Sequence, residues 1–153
     1  MRADMTVFDK HGQTVLLVEA KSQAATSREW AAKYRRNLAA GGFSLRVPFF
    51  LLATPAHFYL WKNPPSGAEL VDPDYDIDAT ELLKPYYEGE PQIPRDAKGI
   101  TFELIVAAWL ADLQFGAALG TLAPDLRAPL VQSGLLEVLR GGRTVFEAAE
   151  PGA

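Results

Sequence analysis

Cysteine is absent from the 153 residues, and histidine occurs only as His11 and His57. The first absence removes disulfides, thiolate zinc sites and cysteine nucleophiles. The second removes a histidine-rich metal centre. No apolar run reaches the roughly 18 residues of a membrane span, so no membrane partner is expected. The first residues lack a signal-peptide core, which favours a cytoplasmic location. An excess of positive charge is also lacking: 15 Lys and Arg against 19 Asp and Glu leave a net −4. A surface of that sign argues against strong non-specific binding of nucleic acid, while leaving room for a local basic face. Internal repeats and low-complexity segments do not occur. What remains, 48% hydrophobic and 22% charged residues, fits one ordinary globular domain with a proper core.

The most informative stretch is Val15 to Lys21, Val-Leu-Leu-Val-Glu-Ala-Lys. Four apolar residues without alternation suggest a strand covered on both faces. Glu19 and Lys21 are two apart, so on a strand they point to one side. Upstream, Arg2 to Phe8 reads as a second strand and Asp9 to Gln13 as its turn, with Gly12 at the φ > 0 position. Closing that hairpin pairs Asp9 with Thr14 and Phe8 with Val15. The same register sets Asp4 opposite Glu19 and Arg2 opposite Lys21. Opposed side chains lie on one face with Cβ atoms about 5 Å apart, and two carboxylates that close repel unless a cation sits between them. Asp, Glu and a nearby Lys suit Mg²⁺, a hard ion that prefers oxygen ligands.

This constellation resembles the PD-(D/E)XK nuclease superfamily, in which an Asp on one strand and a Glu-x-Lys on the next form the active site. Asp4 matches the first acid and Glu19-Ala20-Lys21 the second element. The order hairpin, helix, strand also agrees over about the first 62 residues. The resemblance implies an α/β, restriction-endonuclease-like mixed sheet flanked by helices, here with a helical C-terminal part. It implies Mg²⁺ or Mn²⁺ held by Asp4, Glu19 and the carbonyl of Ala20, with Lys21 as the third catalytic residue beside Asp4 and Glu19. Two departures stand out. Ala3 replaces the Pro that often precedes the Asp. Only three residues precede Asp4, where the superfamily places a helix, often carrying a further acid, and a strand, so truncation at the N-terminus is one expectation.

Downstream, Thr26 with Glu29 reads as a capping box for a helix over 27–39 that stops at Gly41-Gly42. Trp30, Ala31, Tyr34 and Leu38 form its apolar stripe. Arg28, Lys33, Arg35 and Arg36 fall largely off that stripe. They form either a solvated helix face or a nucleic-acid-binding face beside the active site. Residues 47–54 and 58–62 read as strands, with Pro48 near the start of the first. Tyr59 and Trp61 could stack on bases, although core packing is the better expectation for at least one. His57, at a turn, is expected to be structural. Residues 63–75 read as a loop. Its Asp72, Asp74, Asp76 and Asp78 lack the Gly and Glu of a calcium loop, so turn and cap roles are expected, and Asp78 with Glu81 opens a short helix to about Tyr87. Residues 88–99, with Pro91 and Pro94, read as a linker between a nuclease-like core (1–87) and a helical extension (100–153) packed on it, one domain overall. The strongest helical pattern covers 101–119. One or two short helices follow over 124–141, broken near Pro129 or Gly134, and a small strand over 143–147. This C-terminal part could cap the core, dock a partner or substitute for the missing first helix.

Two functional expectations follow. The first is a metal-dependent nuclease hydrolysing phosphodiester bonds, with DNA ahead of RNA as substrate. The second is an inactive nuclease-like binding or interaction module of a restriction or defence complex. A homo-oligomer or a larger complex is compatible with both. Against both stands a plain ion pair of Lys21 with Glu19 or Asp4.

Overall fold

A computed structural model of the protein describes residues 3–89, 92–116 and 122–147. Within them the chain is α/β. Strands β1 (Met5–Phe8), β2 (Thr14–Ala20), β3 (Phe49–Ala53), β4 (His57–Lys62), β5 (Tyr75–Asp78) and β6 (Arg143–Phe146) form one mixed sheet in the order β5-β4-β3-β2-β1-β6. Only β2 and β3 run parallel. Their connection carries helix α1 (Arg28–Ala40), as a parallel pair requires a crossover.

The hairpin turn forms as its residues dictate. Gly12 takes φ 82°, and the Asp9 carboxylate accepts the His11 and Gln13 amides, both at 2.9 Å. The expected register holds for Met5–Val18, Thr6–Leu17 and Val7–Leu16. It fails next to the turn, where Phe8 faces Thr14 rather than Val15 because a bulge intervenes. One extra residue on β2 absorbs the mismatch, so the distal pairing stays as derived. Arg2 lies outside the described residues.

Alternation sends alternate residues of β1, β2 and β3 to two separate cores. Met5, Val7, Leu16, Val18, Phe49 and Leu51 pack with α2 (Ala79–Tyr87), α3 (Ile100–Phe115), α4 (Pro124–Gln132) and α5 (Leu135–Leu139). Phe50, Leu52, Tyr59 and Trp61 pack on the other face under α1, with Ala31, Phe43 and Leu45. The larger core includes both Leu83 of α2 and Val106 of α3, so the stretch 88–99 joins parts of one core.

Several local expectations are corrected. Ser27, not Thr26, caps α1, accepting the Trp30 amide at 3.0 Å. Thr26 instead bonds the Tyr59 hydroxyl at 2.8 Å. Glu29 pairs with Lys33 at 3.1 Å. Tyr59 and Trp61 are both fully buried, which leaves neither to stack on a base. The strand β5 was not legible, since Pro73 and the alternating acids disguise it as loop. Asp78 caps α2 as expected. The break after α4 falls at Gly134. Among the described residues the C-terminal part carries α3, α4 and α5 and then β6, an edge strand beside β1; residues 117–119 of the expected long helix lie outside the described residues. Gly142 permits this approach: a Cβ there would lie 2.2 Å from the Phe8 carbonyl oxygen.

Candidate active site

The site is assembled by the two strands that the hairpin pairs. Asp4 occupies the bend just before β1. Its amide donates to Glu19 Oε1 at 3.1 Å, and its Oδ2 accepts the Ala20 amide at 2.8 Å. Each strand therefore clamps the other's carboxylate with a main-chain N–H. This is the opposition of Asp4 and Glu19 that the register requires, made by side chains where the ladder itself has ended. Lys21 Nζ lies 3.8 Å from Glu19 Oε2 and 5.9 Å from the centre of the Tyr34 ring. The three sequence-derived residues thus converge, at the C-terminal end of β2.

The electrostatics are those of a crowded anionic site. Glu19 is 5% exposed. Burial first, and then the Asp4 carboxylate, push its pKa up to about 7, against the opposing pull of Lys21. For Lys21, burial alone would favour the neutral amine. The Tyr34 hydroxyl, Glu19 and Asp4 more than offset it and hold the ammonium above its usual range.

Sequence reasoning missed two further acids. Glu103, in the first turn of α3, is raised above the usual carboxylate range by burial and then by the Asp4 charge. Glu147, just after β6, donates its amide to the Asp4 carbonyl at 3.0 Å. Neither belongs to a motif. Their only signal is that α3 and β6 fold back beside β1 and β2.

The basic residues of α1 separate. Arg35 is fully buried. Its guanidinium donates to the carbonyls of Glu69 at 2.9 Å and Gly67 at 3.0 Å, and to that of Pro65. It holds the 65–69 stretch of the loop against α1 and offers nothing to a ligand, which corrects its expected place on a nucleic-acid face. Lys33 pairs with Glu29. Arg28 is exposed but donates to the Pro73 carbonyl at 2.7 Å. Arg36 is half-buried. A continuous cationic face is therefore not assembled.

His57, Asp76 and Asp74 are engaged in local contacts. His57 Nδ1 lies 2.8 Å from Asp76 Oδ1 and its ring stacks on Tyr59 at 5.3 Å. Asp74 accepts the Lys62 amide at 2.7 Å.

Comparison with protein-family models, curated proteins and solved structures finds no match. Among the described residues no helix is long and apolar enough to cross a membrane.

Among the described residues no three His, Asp or Glu side chains converge closely enough to hold a metal by themselves. A cation here would rest on two carboxylates, main-chain oxygen and water, a donor set suited to Mg²⁺, which keeps several waters and takes one or two carboxylates. Asp4 and Glu19 each spend one oxygen on a main-chain amide, and each has a second oxygen for such an ion.

Proposed function

We propose that the chain is a metal-dependent nuclease-like domain that hydrolyses phosphodiester bonds, built on a restriction-endonuclease-like arrangement of the sheet. The observation that carries the reading is the mutual clamp of Asp4 and Glu19 with Lys21 beside it. Two carboxylates are held together, a repulsion that a bound cation relieves, and an ammonium is fixed 3.8 Å from one of them. A plain ion pair needs one acid, not two.

In this reading Asp4, Glu19 and the Ala20 carbonyl hold Mg²⁺ or Mn²⁺. The ion supplies Lewis acidity toward the phosphodiester and a more acidic bound water. Lys21 positions that water or stabilises the negative charge that develops on the phosphoryl oxygens. The Tyr34 contact restrains the Lys21 stem from the α1 side. Support also comes from the C-terminal part. α3 brings Glu103 toward the Asp4 charge and β6 flanks β1, so in this reading the C-terminal part substitutes for the first helix of the superfamily pattern.

The test is cleavage of single- and double-stranded DNA and RNA with Mn²⁺, comparing the wild type with Asp4→Asn. Cleavage that needs both the metal and Asp4 supports the reading. Tight metal-independent binding without cleavage would replace it by the inactive binding module.

A further inference from the structure

Among the described residues, helix α1 packs on β3 and β4 and leaves the same face of β1, β6 and part of β2 uncovered. Below Asp4 and Glu19 on that face, the next opposed pair is Thr6 and Leu17, and Phe8 follows two residues on. These half-buried side chains floor a groove of about 280 Å³. Phe43 and Ser44, just beyond α1, wall one side, and Val145 to Glu147 wall the other. The groove is continuous with the carboxylates: Ala3 lines it next to Asp4, and the Glu147 amide binds the Asp4 carbonyl. At the far end the Arg143 guanidinium lies 4.6 Å from the centre of the Phe8 ring.

We propose that this groove receives one unpaired nucleobase of the substrate, with an adjoining phosphate at Asp4 and Glu19. The inference rests on the nuclease reading and narrows its substrate to nucleic acid that is single-stranded or carries an extruded nucleotide. The order of chemistry along the groove carries it. Acids suited to a cation and its phosphate stand at one end, a trough floored by Phe8 and edged by Phe43 lies in the middle, and a guanidinium closes the other. From Asp4 to Phe8 the strand runs on the order of 13 Å, the scale of a base with its flanking phosphates. The volume admits one flat ring and its sugar edge, below the size of pockets that take larger ligands. The ring of Phe8 on the floor binds any base by its π-face, and the Thr6 hydroxyl with the Glu147 carboxylate supplies a donor and acceptors for its edge. A base still paired within a duplex cannot enter without leaving its stack.

The experiment measures binding of short fluorescent single strands in EDTA, and their cleavage with Mn²⁺, with an abasic site moved through each position. For the wild type, removing the base at one position should weaken binding about tenfold, and a fully paired duplex should bind more weakly than the single strand. Ser44→Trp and Val145→Trp, both at exposed positions, fill the groove from opposite walls. Each should abolish the sensitivity to that one base while retaining cleavage of the abasic strand. Equal sensitivity at all positions, or the same sensitivity in both variants as in the wild type, would overturn the proposal. A wild type that cleaves but ignores base removal sinks the groove alone. One that binds in a base-dependent way yet never cleaves sinks the nuclease reading alone, and the absence of both sinks the two together.

Discussion

Glu19 and Arg35 are both buried charges, and the chain treats them in opposite ways. Arg35 reaches three loop carbonyls with its terminal nitrogens. Its charge is met by those oxygen dipoles and by the Glu69 carboxylate, with Nε left unpartnered, and the result is a fixed loop. Glu19 is set beside a second carboxylate, with one amide and one partly exposed ammonium to balance it. Burial against opposite charge and oxygen dipoles marks a structural device. Burial against a like charge costs stability, and such arrangements cluster at sites where the charge has a use. That difference, rather than burial itself, separates the candidate catalytic acid from the clamp.

The comparison breaks most visibly at Arg35. Arg35→Ala removes the buried cation and strands the loop carbonyls, which should cost about 3–5 kcal/mol in denaturant unfolding. A loss below about 1 kcal/mol would mean that the 65–69 stretch does not depend on it.

Glu19→Gln should go the other way. A carboxyl whose folded pKa stands at about 7 instead of 4.5 adds stability that is fully present below pH 4.5 and lost as pH rises through 7. Removing the charge should therefore leave stability unchanged below about pH 4.5 and raise it by up to about 3 kcal/mol at pH 8.5. Melts across pH 4 to 9 would show it, and a destabilised variant at pH 8.5 would make Glu19 a structural acid like any other.

A cation should relieve the same repulsion. Mg²⁺ or Mn²⁺ at 100 times its dissociation constant should stabilise the wild type by about 2.7 kcal/mol and Asp4→Asn far less. Because Glu19 must be ionised to bind, the shift should be greater at pH 8 than at pH 6. Equal shifts in both proteins would indicate non-specific ion effects.

Much of this site was legible in the sequence because it is local. A turn set by Asp9 and Gly12 fixes the hairpin, and side-chain alternation does the rest, so Asp4, Glu19 and Lys21 could be brought together by counting. Even the bulge at Phe8 did not shift the distal pairing. The fate of Arg35 was not legible. Helical spacing puts it with Arg28 and Arg36, and only the long-range return of residues 65–69 over α1 buries it. Glu103 and Glu147 were hidden for the same reason. Glu147 reaches Asp4 because β6 pairs with β1 across more than a hundred residues, and Glu103 because α3 packs beside β2, and no local pattern encodes either. Strand β5 was masked by residues that ordinarily break strands.

Lys21 sharpens the comparison with the smallest effect on stability. Lys21→Met keeps most of the apolar stem over Tyr34 and removes the charge. Were the pair with Glu19 fully buried, its loss would cost about 3 kcal/mol. The lysine side chain is 41% exposed, so solvent screens the pair, and the expected loss is at most about 1 kcal/mol. Losing the ammonium also removes a force that keeps Glu19 ionised, so the Glu19 pKa should rise further in the variant, a shift measurable by NMR titration. Catalysis should respond on a different scale. A charge that acts chiefly in the transition state lowers cleavage by about a hundredfold or more while nucleic-acid affinity hardly changes. A phosphate-binding lysine would instead lower affinity and its salt dependence together. Stability within about 1 kcal/mol of wild type, unchanged binding at two salt concentrations and a steep fall in cleavage would assign Lys21 to the reaction. A drop of about 3 kcal/mol with cleavage intact would reduce it to Glu19's counter-ion and place Glu19 in the same class as Arg35.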